Sequence, residues 1–201
     1  TAQVAALQTD DIAALTTAQL RAFSNAQIAA LGSDQVAALE TADVAAIDVY
    51  QVASLSNAFV GALSTGHVAA LTASQVSKLS DTQFAQLGTD DLVALTTTQM
   101  ASVTAAQING LTDAKIKALE TADLQAFRAA QISTLTTASI SALSTGQVAA
   151  LTTDQVGRVT AGQLSSLTTA QLAAFDTTQT AVLTATQKSQ LTTAQITALN
   201  S

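Results

Sequence analysis

The sequence predicts an all-α protein, a solenoid or superhelix of about 25 very short helices with one helix for each eight-residue repeat. Three observations predict it: an unbroken period of eight residues, two apolar positions in each repeat, and charges sorted along each repeat as a helix dipole favours. The period holds without an insertion from Thr1 to Asn200, so 25 octads fill residues 1–200. We therefore interpret residues 1–201 as a single octapeptide-repeat array.

The fourth and seventh positions of the octad, counted from Thr1, are the apolar ones. The seventh is apolar in all 25 units and is Leu in nineteen of them, while the fourth is apolar in twenty-three. The two exceptions, Thr180 and Lys188, lie in adjacent units. A spacing of three residues places both positions on one face of a helix, so we expect them to form the interior.

The eighth position is expected to precede the first turn of the next helix. It is Ser or Thr in sixteen units, and the third position of the following octad is Gln in seventeen and Asp in four. Ser or Thr followed three residues later by Gln is the capping-box pattern. Where the eighth residue is Gln8, Glu40 or Glu120, the following Thr could cap instead, so the first helical residue stays open there by one position.

Charge placement separates a helix from a β-strand here. All fourteen acidic residues lie at the eighth, first, second or third position, and four of the seven basic residues lie at the fifth or sixth. A helix dipole favours acid near its start and base toward its end, whereas a strand gives no reason for this sorting. We therefore predict a helix in each octad.

No helix this short is stable alone, because about 12–15 residues are needed for marginal stability in water. The octads must stack on one another, and the sequence leaves open whether two or three helices complete one coil. A longer period of 80 residues is also present, since Glu40-Thr-Ala-Asp recurs at Glu120. Residues 1–80 and 81–160 therefore look like a duplicated block.

The composition argues against most chemical functions. The net charge is −7 and only 10% of residues are charged, which does not suit a nucleic-acid surface. The absence of cysteine removes thiolate metal sites, and no apolar run approaches the ~18 residues of a membrane span. We expect no catalytic residue, no cofactor, no metal site, no small-molecule substrate and no membrane insertion, with neighbouring repeats or further copies as the partners.

A few residues depart from the repeat and are candidates for a metal-binding or partner-binding site. His67 is interpreted as a variant first-turn residue, and the pairs Asp10-Asp11 and Asp90-Asp91 as acidic helix starts rather than ligands. Tyr50 and Phe59 are expected to be exposed contacts. The polar residues at two adjacent fourth positions near the end of the chain fit a loosely packed stretch or a docking notch for a partner.

The run Leu-Thr-Thr-Ala-Gln followed by an apolar residue, at residues 15–23, 167–175 and 191–199, carries a resemblance. It resembles tandem short-repeat tracts in large secreted or surface proteins of bacteria, such as RTX-type adhesins. The resemblance implies an extracellular or cell-surface spacer or fibre segment, and it implies no site residues. Because the chain begins with Thr rather than Met, we expect it to be a segment of a larger or processed protein.

The leading hypothesis is a non-enzymatic structural module: an extender, spacer or filament-forming segment of a bacterial extracellular or surface protein. A second hypothesis is an α-solenoid scaffold that binds a protein or ligand, which would need variable residues clustered on one face. A third is an ice- or surface-binding array of regularly spaced threonines. A designed repeat protein is also considered, although irregularities such as Lys188 disfavour it.

Overall fold

A computed structural model describes residues 2–201, and within them the chain forms helices and short connections with no β-strand. The helices are four to seven residues long and follow one another at intervals of eight residues. This confirms the prediction of an all-α chain of short helices. No helix in these residues has the length and apolar character that crossing a membrane requires.

The chain divides into two compact units, one ending at Ser102 and the other beginning at Val103. The helices of the first unit are α1 (Ala2–Ala5), α2 (Thr9–Ala13), α3 (Thr17–Arg21), α4 (Asn25–Ile28), α5 (Ser33–Ala37), α6 (Thr41–Ala46), α7 (Val49–Val52), α8 (Asn57–Gly61), α9 (Thr65–Ala70), α10 (Ala73–Lys78), α11 (Asp81–Phe84), α12 (Thr89–Val93) and α13 (Thr97–Met100). The interpretation of residues 1–201 as one array, with an 80-residue duplication, stays a prediction.

The helices of the second unit follow the same spacing. They are α14 (Ala105–Asn109), α15 (Asp113–Ala118), α16 (Thr121–Ala126), α17 (Ala129–Ile132), α18 (Thr137–Ser141), α19 (Thr145–Ala149), α20 (Thr153–Val156), α21 (Ala161–Ser165), α22 (Thr169–Leu172), α23 (Thr177–Ala181), α24 (Ala185–Lys188) and α25 (Thr193–Leu199). Each helix from α2 onward therefore begins at the first position of its octad.

Each helix is preceded by an eighth-position residue in extended conformation. Thr16 has ψ 153° and Glu40 has ψ 154°, so a residue without a hydroxyl takes the same backbone conformation as a threonine. Gln8 and Glu120 do likewise, and the start of the helix does not move by one residue at these sites.

The helices end without a left-handed residue. At Leu71, for example, the backbone turns to φ −58° and ψ 142°, which leads directly into the next extended eighth-position residue. No residue in 2–201 has a positive φ. Glycine is therefore not needed to end a helix here, although a left-handed glycine commonly does so in other proteins.

Helix packing within each unit has a period of three helices. In the first unit α3 packs on α6 and α6 on α9, and in the second unit α21 packs on α24 and α22 on α25. The other extensive pairs within a unit are also three helices apart, which corresponds to 24 residues. Between the two arrangements that the sequence left open, this period favours three helices per coil.

The fourth and seventh residues are buried in opposite directions along the stack. In the first three octads the fourth residues are buried but the seventh residues, Leu7, Leu15 and Phe23, are only half-buried. Leu31, in the next octad, is 3% exposed because its helix has an earlier helix to pack on. In the last three octads the fourth residues Thr180, Lys188 and Ile196 are half-buried, and of the seventh residues Leu183 and Leu199 are buried and Leu191 is half-buried. The seventh residue therefore faces earlier helices of its unit, and the fourth faces later ones.

Because the seventh residue is buried and the eighth caps a helix, alanine substitutions at the two positions should lower the free energy of unfolding by different amounts. Leu151 is buried, so Leu151→Ala should lower the free energy of unfolding by about 2–5 kcal/mol. The hydroxyl of Thr152 accepts a hydrogen bond from the backbone N–H of Gln155 at 3.2 Å, so Thr152→Ala should cost about 1 kcal/mol. Urea unfolding followed by circular dichroism would measure both, and equal losses would contradict this assignment of faces.

Candidate functional site

The glutamine at the third position is the recurring polar side chain of the interior. Gln75 is 2% exposed, and Gln99 and Gln155 are buried to a similar degree. A buried amide has a donor and an acceptor that both need partners, so the surroundings of these side chains must supply both.

The acceptor half of the amide lies at the start of its own helix. The Oε1 atom of Gln75 accepts the backbone N–H of Thr72 at 2.7 Å, and the hydroxyl of Thr72 accepts the backbone N–H of Gln75 at 3.2 Å. The same reciprocal pair joins Thr152 and Gln155. Two N–H groups that have no partner within the helix are satisfied in this way.

The donor half reaches a different helix. The Nε2 atom of Gln75 donates to the carbonyls of Val44 and Ile47 at 3.1 and 2.8 Å, at the end of α6, four helices earlier. Gln99 donates in the same way to Val68 and Leu71. These carbonyls lie at the end of a helix, where C=O groups have few partners within the helix, although Val44 also accepts the N–H of Ile47. One amide therefore joins the start of one helix to the end of another.

This arrangement recurs through both units, and we call it the glutamine ladder: a third-position side chain bonded to carbonyls 28 and 31 residues earlier. Further examples with both bonds are Gln35, Gln83, Gln147, Gln155, Gln163 and Gln187. Within each unit, the ladder and the packing of helices three apart join the same parts of the chain.

His67 occupies a ladder position and makes the bond at the start of its own helix and the bond to the carbonyl 28 residues earlier. Its Nδ1 atom lies 3.2 Å from the backbone nitrogen of Ser64, which donates to it, and its Nε2 atom lies 2.8 Å from the carbonyl oxygen of Leu39. Because Nδ1 is an acceptor, Nε2 carries the hydrogen and donates to that carbonyl. The side chain is 4% exposed. The imidazole therefore takes the place of a glutamine amide. The interpretation of His67 as a variant first-turn residue did not predict the bond to Leu39.

Ser139 also occupies a ladder position but is too short to fill it, and Asn109 completes the site. The Oδ1 atom of Asn109 accepts the backbone N–H of Thr136 and the hydroxyl of Ser139, both at 2.9 Å. That N–H group would otherwise donate to a third-position glutamine. An asparagine from α14 thus supplies the acceptor that the shorter side chain cannot.

The aspartates at the third position accept the hydrogen bond at the start of their own helix but cannot make the donor bonds of the ladder. Asp43 accepts the backbone N–H of Glu40, and Asp123 accepts that of Glu120 at 3.1 Å, but a carboxylate has no hydrogen to donate. Burial raises the pKa of the Asp123 carboxyl above its ordinary value; the hydrogen bond from Glu120 opposes this, and the charge of Glu120 adds to it.

The acidic pairs Asp10-Asp11 and Asp90-Asp91 lie at the starts of α2 and α12. Asp11 and Asp91 accept the backbone N–H groups of Gln8 and Gly88, as their positions at helix starts predict. Residues 2–201 contain no group of three or more His, Cys, Asp or Glu side chains that could hold a metal ion.

Of the two aromatic residues expected to be exposed, Tyr50 and Phe59, only the first is exposed. Tyr50 is 80% exposed. Phe59 is 0% exposed, so the expectation was wrong there. Phe59 stands at the third position, where the ladder glutamines are also buried, and an apolar ring fills that inward-facing space without making the ladder bonds.

Thr180 and Lys188 are half-buried and lie at the open end of the second unit. The ammonium of Lys188 is 3.4 Å from the carbonyl oxygen of Thr180, and both residues line an open depression with Phe175 and Leu199.

Short helices at a fixed interval, joined by one repeated hydrogen-bond pattern, define a tandem-repeat protein. The sequence profile of the ALTTAQ repeat matches the chain four times, over residues 4–41, 36–73, 84–121 and 116–153. These matches cover more than half of the chain, which therefore belongs to the ALTTAQ repeat family. No curated protein matches the chain.

The ladder predicts that a charge-bearing isostere is not tolerated. Gln75→Glu keeps the acceptor but places a carboxylate against the carbonyls of Val44 and Ile47, so the free energy of unfolding at pH 7 should fall by about 3 kcal/mol or more. Burial raises the pKa of such a carboxyl, and its protonated form can donate one hydrogen bond. The loss should therefore shrink between pH 7 and pH 4, measured by urea unfolding.

His67→Gln is the matched control, since the amide can make both bonds of the imidazole. It should leave the free energy of unfolding within about 1 kcal/mol of the parent value. A Gln75→Glu variant as stable as the parent at pH 7 would contradict the ladder as a source of stability.

The raised pKa of Asp123 predicts that its contribution to stability increases as the pH falls, whereas that of a carboxylate in an ion pair decreases. Because its pKa is raised by folding, the folded state binds the proton more readily, and this group adds stability as the pH falls through the folded-state pKa. Asp123→Asn keeps an acceptor for Glu120 and should be more stable than the parent at pH 7. The difference should shrink toward pH 4.

Urea unfolding at the two pH values measures this, with Asp154→Asn as the control at an exposed carboxylate. A stability gain of Asp123→Asn that grows on acidification would contradict the assigned cause of the shift.

Proposed function

We propose that the chain is a solenoid with three helices per coil and that it acts as a non-enzymatic structural module, a spacer or extender whose role depends on its length and stiffness. The observation that carries the proposal is the glutamine ladder. It uses the polar groups at the ends of the helices to join one coil to the next within each unit, so each octad serves the stack.

The surface supports a structural role over a binding groove. A peptide-binding solenoid presents clustered, variable side chains on one face. In residues 2–201 the large apolar side chains that are substantially exposed are Tyr50, Val93 and Val182, which are well separated along the chain. Among the third-position residues that differ from glutamine, His67 and the four aspartates each accept a backbone N–H group at a helix start.

The regular hydroxyls give an ice- or surface-binding role less support. The eighth-position threonines such as Thr72 and Thr152 already accept backbone N–H groups at helix starts. A location outside the cell, in a bacterial surface or secreted protein, rests on the resemblance of the octads to the short-repeat tracts of such proteins. It is part of the proposal.

The test is a pair of internal deletions that differ in register and little in length. Removing residues 145–168 takes out three whole octads and joins Ser144 to Thr169, so the eighth position is still followed by a first position. This variant should unfold cooperatively near the parent midpoint, with the second unit shorter by one helix-packing distance, about 8–10 Å. Circular dichroism and small-angle scattering measure the two effects.

Removing residues 145–164 instead joins Ser144 to Ser165 and shifts every later octad by half a repeat. Fourth-position side chains then fall where cap residues belong, so the second unit should lose its cooperative transition. Equal tolerance of both deletions would contradict stacking of octads. In a longer parent protein, loss of attachment or assembly from Tyr50→Ala alone, with stability unchanged, would favour a binding module over a spacer.

A further inference from the structure

The asparagine at the end of α14, Asn109, is followed directly by Gly110. The other three asparagines, Asn25, Asn57 and Asn200, are followed by alanine or serine. The backbone nitrogen after an asparagine can attack the side-chain amide carbon, and glycine favours this attack because it has no Cβ to hinder the approach. Asn109 is half-buried and Gly110 is exposed, so water reaches the pair.

The reaction of such a pair needs only the chain and water. A bond forms between the nitrogen of Gly110 and Cγ of Asn109, and Nδ2 leaves as ammonia with the proton of the peptide N–H. The product of this step is a succinimide ring. Water then adds to either ring carbonyl and breaks its bond to the ring nitrogen. One outcome is aspartate, and the other is isoaspartate, in which the backbone runs through Cβ and Cγ and is therefore longer.

The folded chain holds the asparagine amide away from this reaction. Its Oδ1 atom accepts the backbone N–H of Thr136 and the hydroxyl of Ser139, both at 2.9 Å, and its Nδ2 atom donates to the carbonyl of Thr134 at 3.3 Å. The N–H of Gly110 donates to the carbonyl of Ala106 at 3.1 Å, which directs that nitrogen back along the helix. Ring closure therefore requires α14 to open locally first.

The packing around α14 is weaker than that of later helices in the second unit. From α16 to α22 each helix packs extensively on the one three later, whereas α14 forms no extensive pair in the described part of the chain. A gap too narrow for a water molecule is lined by Ile108, Phe127 and Leu135, so these apolar side chains lose contacts across it. Local opening should therefore be easier at α14 than at the helices that follow α16.

The product matters because Asn109 completes the ladder position of Ser139. Aspartate keeps an acceptor for the N–H of Thr136 and the hydroxyl of Ser139. Isoaspartate lengthens the backbone within the octad and moves this acceptor, and the Ser139 side chain, 5% exposed, is too short to replace it. The two donors then lose their partner, which costs free energy.

We propose that Asn109-Gly110 is a modification site, at which the chain deamidates without an enzyme when α14 opens, and that the isoaspartate product disconnects α14 from α18 within the second unit. The inference rests on the contacts of Asn109 and its neighbours. It does not require the structural role proposed above, so the two deletions tested there and the experiments below report on separate proposals.

The first experiment measures the rate of conversion at Asn109 by mass spectrometry of peptides from the full chain, kept at mildly alkaline pH in buffer or in concentrated urea. The rate in urea should exceed the rate in buffer by about tenfold or more, because urea removes the need for local opening. Asn57, which is followed by alanine, is the internal control and should stay unmodified over the same time.

Two variants separate the chemistry from the fold. Gly110→Ala should slow conversion by about tenfold or more in buffer and in urea alike, because its Cβ hinders the attacking nitrogen. Ser139→Ala removes one hydrogen bond to Oδ1 of Asn109, so it should speed conversion several-fold in buffer and leave the rate in urea unchanged.

The second experiment tests the consequence for α18. The aspartate and isoaspartate forms are separated by chromatography after incubation, and hydrogen exchange of the backbone amides in residues 136–141 is compared with that of the parent. The isoaspartate form should exchange about tenfold faster or more, as should Asn109→Ala, which also lacks the acceptor. The aspartate form should stay near the parent rate.

Three results would overturn parts of the proposal. Conversion in urea without any conversion in buffer would overturn the modification site in the folded chain. Equal rates in buffer and urea would overturn the requirement for opening of α14. Exchange at the parent rate in the isoaspartate form would overturn the disconnection of α14 from α18.

Discussion

Helices of four to seven residues leave a large share of their backbone polar groups without a partner inside the helix, and the rest of the structure depends on how those groups are met. An ordinary helix loses hydrogen bonds only at its two ends, whereas these helices consist of little else. The third-position amide meets the need from both sides, with Oε1 at the start of its own helix and Nε2 at the end of another. Apolar burial at the fourth and seventh positions then holds together elements that are already joined.

This requirement explains why the position holds a neutral amide so often. A glutamate would satisfy the start of the helix equally well. It would also place a charge against carbonyl oxygens in a buried setting, where nothing donates a hydrogen bond to it. His67, and Ser139 together with Asn109, show that the chemistry of the site and not the identity of the residue is what matters. The low charge of the chain follows in part from a core that requires uncharged polar groups.

Much of the fold could be predicted from the sequence because it is local. The period, the helices and the apolar face that holds Leu31 and Val36 all follow from spacing within one or two octads. The acceptor half of the ladder is local too, since Thr72 and Gln75 are three residues apart. Its donor half is not: Val44 lies 31 residues before Gln75, and no short-range pattern joins them. The number of helices per coil depends on the same long-range contacts.

One signal for the missing half was present in the sequence: Gln outnumbers the acidic residues at the third position by seventeen to four, although a carboxylate caps a helix as well. Phe59 is buried because the third position faces inward, which the capping pattern at the start of the helix does not reveal.

The backbone of the connections has a consequence for how such a gene can change. In residues 2–201 every φ is negative, so no junction between helices demands glycine or any other special residue. A stretch of DNA encoding whole octads could be copied or lost without creating a strained peptide at the new junction. The number of repeats is then free to vary between generations while each remaining coil keeps its geometry.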